Sequence, residues 1–195
     1  TNNFCTWNPL THSVADHPVL SEGNLKIYSD GASNKGGYLG SFSMPTGKWY
    51  WEVSIEAHST WNQIGIFDDY ASNTGQLGAA LNPVRGVVYW QSGVVAMDAV
   101  TQSTEDVYHS SSGAGGRGAI IGLAFDADAN TFKIYNENVL QTTVTPNAPT
   151  GNYAPIVISN GYTTVANFGQ DSSFHGTETA QGNQDDNEIG DFYYD

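Results

Sequence analysis

The sequence predicts an all-β domain, and three observations carry that prediction. Short runs rich in Val, Ile, Tyr, Phe and Trp recur along the 195 residues, separated by Gly, Asn, Asp and Ser clusters, which is the spacing of a sandwich or barrel. No window of eleven residues holds an apolar stripe at helical period. The 22 glycines, with many Asn, Ser and Thr residues, supply tight turns more readily than long helices.

Each element has its own reason. LKIY, Leu25–Tyr28, follows the SEGN turn cluster, and Tyr38–Ser43 follows a glycine pair. Trp49–Glu56 alternates, with Trp49, Trp51, Val53 and Ile55 toward a core and Tyr50, Glu52, Ser54 and Glu56 on the opposite, polar face. QIGIF gives a strand at Gln63–Phe67. Gly86–Gln91 and Val94–Met97 flank Gln91-Ser92-Gly93, which reads as a hairpin turn. Ala119–Phe125, Thr131–Tyr135 and Val139–Val144 make a meander, separated by Asp126–Asn130 and Asn136-Glu137-Asn138. Ala154–Ser159 and Thr163–Phe168 complete the set. The longer gaps, Ser29–Gly37, Asp68–Gly78, Asp98–Gly118 and Gly169–Gly190, are read as loops, where binding specificity concentrates on rigid sandwiches.

Composition bounds the function. A hydrophobic content of 39% with 12% aromatic residues fits one globular domain. Acids outnumber bases 20 to 6, for a net charge of −14. Nucleic acid and anionic membrane surfaces are therefore poor partners. No apolar run reaches the length of a membrane span, so no membrane insertion is expected. One cysteine, Cys5, excludes an internal disulfide framework. A start at Thr1 without Met is expected of a processed product or a segment of something longer. The chain has no Asn-x-Ser/Thr sequon.

The candidate chemistry is sparse. Glu52 and Glu56 share one face of a strand in EVSIE. This is the spacing of a sandwich hydrolase that uses paired carboxyls, with Ser54 where a central Asp is expected. Asp126, Asp128, Asn130 and Glu137 mimic a calcium loop, but Thr131 occupies the glycine position and a strand runs through it, so a capped turn is the better account. Calcium remains a candidate ligand for the Asp185, Asp186, Glu188 cluster. The five histidines show no metal-ligand spacing, and GAGGRG (Gly113–Gly118) lacks the Lys-Ser/Thr of a phosphate loop. Trp61, Asp68, Asp69, Tyr70, Tyr108 and Arg117 lie in or beside the long loops and are the candidate binding residues. Phe4, Cys5 and Trp7 are the candidate assembly residues, on an arm that could add a strand to a neighbouring subunit.

GKWYWEVSIE, IGIFD, VVYW, IIGLAFDADANTFKIYNENVL, YAPIVIS and TTVANFGQ form an ordered series from about Leu20 to Gln170. The series resembles the SPRY (B30.2) domain. That resemblance implies a two-sheet antiparallel concanavalin-like sandwich with long loops at one end. Where the family often has Asn-Gly, this chain has Asn136-Glu137-Asn138, and a different turn type is expected there. The flanks, NFCTWNPL, SFSMPTGKWYWEV and NFGQDSSFHGTETAQGNQDDNEIGDFYY, resemble SPRY-type virion or fibre proteins of tailed phages of aquatic bacteria. The resemblance implies a non-catalytic module that binds through its loops, at a virion surface or otherwise outside the cell. Its expected partners are copies of itself, other virion or filament subunits, or a host-surface glycan or protein. The expected organisation is an N-terminal arm (residues 1–19), the sandwich (20–170) and an acidic polar extension (171–195). An extracellular filament built by strand addition and a polysaccharide hydrolase are the alternatives.

Overall fold

The computed structural model describes residues 3–11, 17–31, 36–68, 86–108, 119–147 and 152–194, with side chains omitted at 57–60. Eleven strands are present: β1 (Val19–Ser21), β2 (Lys26–Tyr28), β3 (Gly36–Leu39), β4 (Lys48–Asp68), β5 (Gly86–Trp90), β6 (Val94–Met97), β7 (Val100–Thr104), β8 (Ile120–Asp126), β9 (Thr131–Asn136), β10 (Val139–Val144) and β11 (Tyr153–Asn167). Every pair is antiparallel, and no described residue is helical.

Two long strands organise the whole. β4 replaces two expected strands, and so does β11. The first half of β4 pairs with β8, and Gln63–Phe67 near its end pair with β5. β11 runs beside β4 along nearly its full length, with β2 on its C-terminal half and β3 on its N-terminal half. One half of the sheet therefore reads β1-β2-β11-β4-β8-β9-β10 and the other β3-β11-β4-β5-β6-β7. Register shifts between Asn160 and Tyr162 and between Thr163 and Thr164 mark where the shared pair passes from one half to the other. Such irregularities bend strands and re-aim side chains. Here they switch the inward positions of β4 from Trp51, Val53 and Ile55 to Ile64 and Ile66. These two sets face each other in one core with Val87, Tyr89, Ile121, Leu123, Phe125 and Val157. The sheet is thus doubled into a sandwich, as the sequence predicts.

Local chemistry explains the turns. Gly93 takes a left-handed φ of 87° in the β5–β6 hairpin. Glu137 and Asn138 both have positive φ, 49° and 61°, between the paired residues Asn136 and Val139. That is the two-residue type I′ geometry that Asn-Gly favours, so the expected change of turn type does not occur. Left-handed backbone costs Glu137 about 1–2 kcal/mol. Its carboxylate offsets this cost by accepting from Ile120 N–H at 2.7 Å and from the Tyr194 hydroxyl at 2.6 Å. At Asp126 the would-be calcium loop is a turn, capped by Ala129 N–H donating to Asp126 Oδ1 at 2.8 Å.

Both flanking segments belong to the fold. The described residues of the N-terminal arm, a candidate for contact with a neighbour, pack in their own chain. Trp7 is fully buried in the main core, its Nε1 donates to the Leu25 carbonyl at 3.1 Å, and its ring meets Phe168 edge-on at 5.2 Å. Asn8 N–H donates to the Leu39 carbonyl at 2.8 Å, beside a Trp7–Gly40 bridge. An indole of this size is worth several kcal/mol in place, which is why the arm stays in. The C-terminal segment crosses the outer face of the first half-sheet, where Phe174, Tyr193 and Tyr194 pack on Ile120 and Val165.

Candidate functional site

The polar face of β4 carries the two candidate carboxylates. Glu52 is fully buried, because the C-terminal segment lies over it. Its Oε1 accepts from Tyr194 N–H at 2.8 Å and from the Tyr50 hydroxyl at 3.2 Å. Its Oε2 accepts from Tyr193 N–H at 2.9 Å and from Asn167 Nδ2 at 3.0 Å. Burial pushes the Glu52 carboxyl upward, and the two backbone donors, Asn167 and Tyr50 pull it back without cancelling the rise. Glu56 forms an ion pair with Lys26 Nζ at 2.6 Å. One carboxyl is sealed under a strap and the other is engaged by a lysine. Neither is presented to an open cleft at which a glycosidic bond could lie between them.

A concavity lies beside this clasp. A cleft of about 500 Å³ opens between the N-terminal arm, the start of β4 and the strap. Its walls include Phe4, Phe42, Trp49, Tyr50, Phe168 and Phe192, with Cys5, Met44 and Trp51 deeper. Phe192 meets Tyr50 edge-on at 5.1 Å, and the Trp49 indole is fixed by Nε1 donating to the Thr46 carbonyl at 2.7 Å. Gln170 Nε2 donates to the Cys5 carbonyl at 2.9 Å, tying arm to strap at the edge of the cleft. Burial pushes the Cys5 thiol upward, away from the reactive thiolate. Lys48, Asp185 and Asp186 supply the charges, and a second recess of about 290 Å³ continues past Phe192 toward Tyr135 and Tyr194. The Trp51 Nε1 donor is buried without an acceptor.

The residues singled out from the sequence fall in several places. Phe4 and Cys5 line the cleft. Trp61 lies on the outer face of the second half-sheet, against Trp90 at 6.1 Å, above Phe67, Val88, Ile156 and Ile158. In the orientation that satisfies its amide, Asn160 accepts from Trp61 Nε1 at 2.7 Å. Asp68 is buried at the end of β4. Tyr108 is not a surface anchor: it is 1% exposed and closes the end of the core, its hydroxyl donating to Asn62 Oδ1 at 3.0 Å. Burial raises its phenol well above the ordinary range. Asp69, Tyr70 and Arg117 lie outside the described residues.

The calcium expectation is redirected as well. Asp185 Oδ1 accepts from the N–H groups of Ile189 at 2.9 Å, Asn187 at 3.2 Å and Gly190 at 3.2 Å, so this carboxylate builds a turn. Among the described residues no group of three or more His, Cys, Asp or Glu side chains is placed to hold a metal ion. The cleft itself was not visible in the sequence. Its aromatics come from five separated stretches, and the one local signal is FYYD, an aromatic cluster inside an acidic tail.

Fold and site together define a SPRY-type concanavalin-like sandwich with an aromatic cleft beside the buried Glu52. The SPRY domain of human HERC1 is similar in structure, with a TM-score of 0.55 at 12% identity, covering 82% of this chain and 96% of that one. The TRIM65 PSpry domain gives a TM-score of 0.52 at 16% identity over 84% of this chain and 92% of that one. The stonustoxin structure gives 0.58 at 16% identity over 84% of this chain, which spans only 27% of that longer chain. No protein-family model and no curated protein matches the sequence.

Proposed function

We propose that this protein is a non-catalytic binding module of a phage virion surface or fibre, which contacts neighbouring subunits or a host-surface protein or glycan. The observation that carries the non-catalytic reading is the use of Glu52: the carboxylate best placed for chemistry accepts four hydrogen bonds that hold the chain's own strap. The cleft beside it offers aromatic surface and a few charges, the composition of a recognition site. The virion setting is supported by the resemblance of NFCTWNPL and GDFYY and their surroundings to phage SPRY-type proteins. Immunogold electron microscopy on the native source material, with antibody against this domain, tests it. Label on phage heads or tails is the expected result. Label confined to free fibrils or cell surfaces overturns the virion assignment and favours a filament subunit.

A further inference from the structure

We propose that the aromatic cleft receives a lysine or arginine side chain presented by an extended segment of a protein partner. The proposal deepens the binding-module reading and rests on it. Three features of the cleft select this occupant. Its volume of about 500 Å³ exceeds one side chain and suits a side chain with its flanking backbone. Trp49, Tyr50 and Phe192 offer ring surface for an aliphatic stem, and the negative faces of such rings attract a cation. On the strap side stand Asp185 and Asp186, with Lys48 as the one cation among the described residues of the lining. The backbone donors around Asp185, led by Ile189 N–H, hold its carboxyl below the usual range, so it stays negative over the working pH range. Asp186 is exposed, at the first central position of the turn that Asp185 caps. The net charge of −14 adds a long-range field that steers cationic partners and repels anionic ones.

A neutral apolar ligand would satisfy the walls and leave the carboxylates unused. A saccharide would stack on Trp49 and donate hydroxyls to the carboxylates, yet it carries no charge for the acidic field to attract. The cationic side chain is the occupant that uses both.

The test is a titration followed by NMR at the Trp49 indole N–H. The probes are Nα-acetyl-lysine methylamide, its neutral isostere Nα-acetyl-norleucine methylamide, and methyl glucoside. The expected result is a saturable shift with the lysine probe and binding at least about threefold weaker for norleucine, the discrimination one exposed cation–aromatic contact supplies. Asp186→Asn should weaken the lysine probe by a similar factor, and Lys48→Ala should tighten it. No shift with the lysine probe, equal binding of norleucine, indifference to both substitutions, or a shift with methyl glucoside alone overturns the proposal. These outcomes are separate from the virion assignment, because the titration needs only the folded protein and the immunogold result needs only its location.

Discussion

Glu52→Gln is the sharpest perturbation the structure offers. The carboxylate accepts four hydrogen bonds, two on each oxygen, from Tyr50, Asn167, Tyr193 and Tyr194. Glutamine keeps one acceptor oxygen and turns an NH2 group toward two of those donors. Losing two hydrogen bonds to a charged acceptor costs about 3–6 kcal/mol. Removing a buried charge returns part of this, leaving a net loss of roughly 2–4 kcal/mol near neutral pH. For a domain of this size, that lowers the melting temperature by roughly 4–16 °C. The pH dependence has a definite sign. The folded carboxyl is raised above its ordinary 4.5, so between that value and the folded one the native state holds a proton that the unfolded chain releases. Stability contributed by Glu52 is full below 4.5 and declines as pH rises through the folded value. The glutamine variant has no such window, so the gap between the two proteins should narrow as pH rises across it. Thermal melting across pH reads the total, and amide hydrogen exchange at Tyr193 and Tyr194 reads the strap itself. A melting shift under about 2 °C at neutral pH, with exchange at those two amides unchanged, refutes the clasp.

Three further outcomes follow from the same packing. Trp7→Ala should cost about 3–5 kcal/mol in chemical denaturation, and removal of residues 1–10 should destabilise the monomer instead of leaving it folded and merely unable to assemble. Gly65→Ala should lower the urea midpoint by the equivalent of about 2 kcal/mol or more, since a Cβ there would lie 2.0 Å from the Val87 carbonyl oxygen and the β4–β5 ladder would have to part. Asp185→Asn should remove an acid-side loss of strap order: the folded carboxyl lies below 3.8, so its contribution is full above that value and is lost as pH falls through the depressed one. Exchange at residues 187–190 in acid would show this as a flatter pH profile in the variant.

The two-sheet architecture was legible because alternation survives wherever one face is core. Trp51, Val53 and Ile55 point inward as the period demands. The opposite face is not legible in the same way, since polar letters imply water and nothing local announces that strap residues 141 and 142 positions away will cover Glu52. The sequence divides β4 and β11 each into two strands for a related reason. Asn160-Gly161 is the strongest short signal for a hairpin turn, yet here Gly161, with a φ of 77°, sits at a bulge within one strand. β7 lies within Asp98–Gly118, which the sequence presents as loop because VTQST is largely exposed and carries little apolar signal, although Asp98 and Ala99 with φ of 50° and 69° make the two-residue turn that leads into it. The cleft escaped for want of any contiguous motif, its walls being contributed by the arm, by β4 and by the strap.

The pairing of β4 with β11 also fixes when the protein can finish folding. The contact of Glu52 with Asn167 joins residues 115 apart, and neither half-sheet is complete until that join forms. Closing so long a loop before its contacts compensate places such a chain among the slower folders, on a scale of milliseconds to seconds. On the ribosome the delay is longer, because β4 emerges first and must wait, at about 5–20 residues per second, for the strand that covers its edge. Throughout that interval Val53 and Ile55 have no partner strand on the β11 side. The time between those two strands is when the chain is most exposed to mispairing with its own siblings.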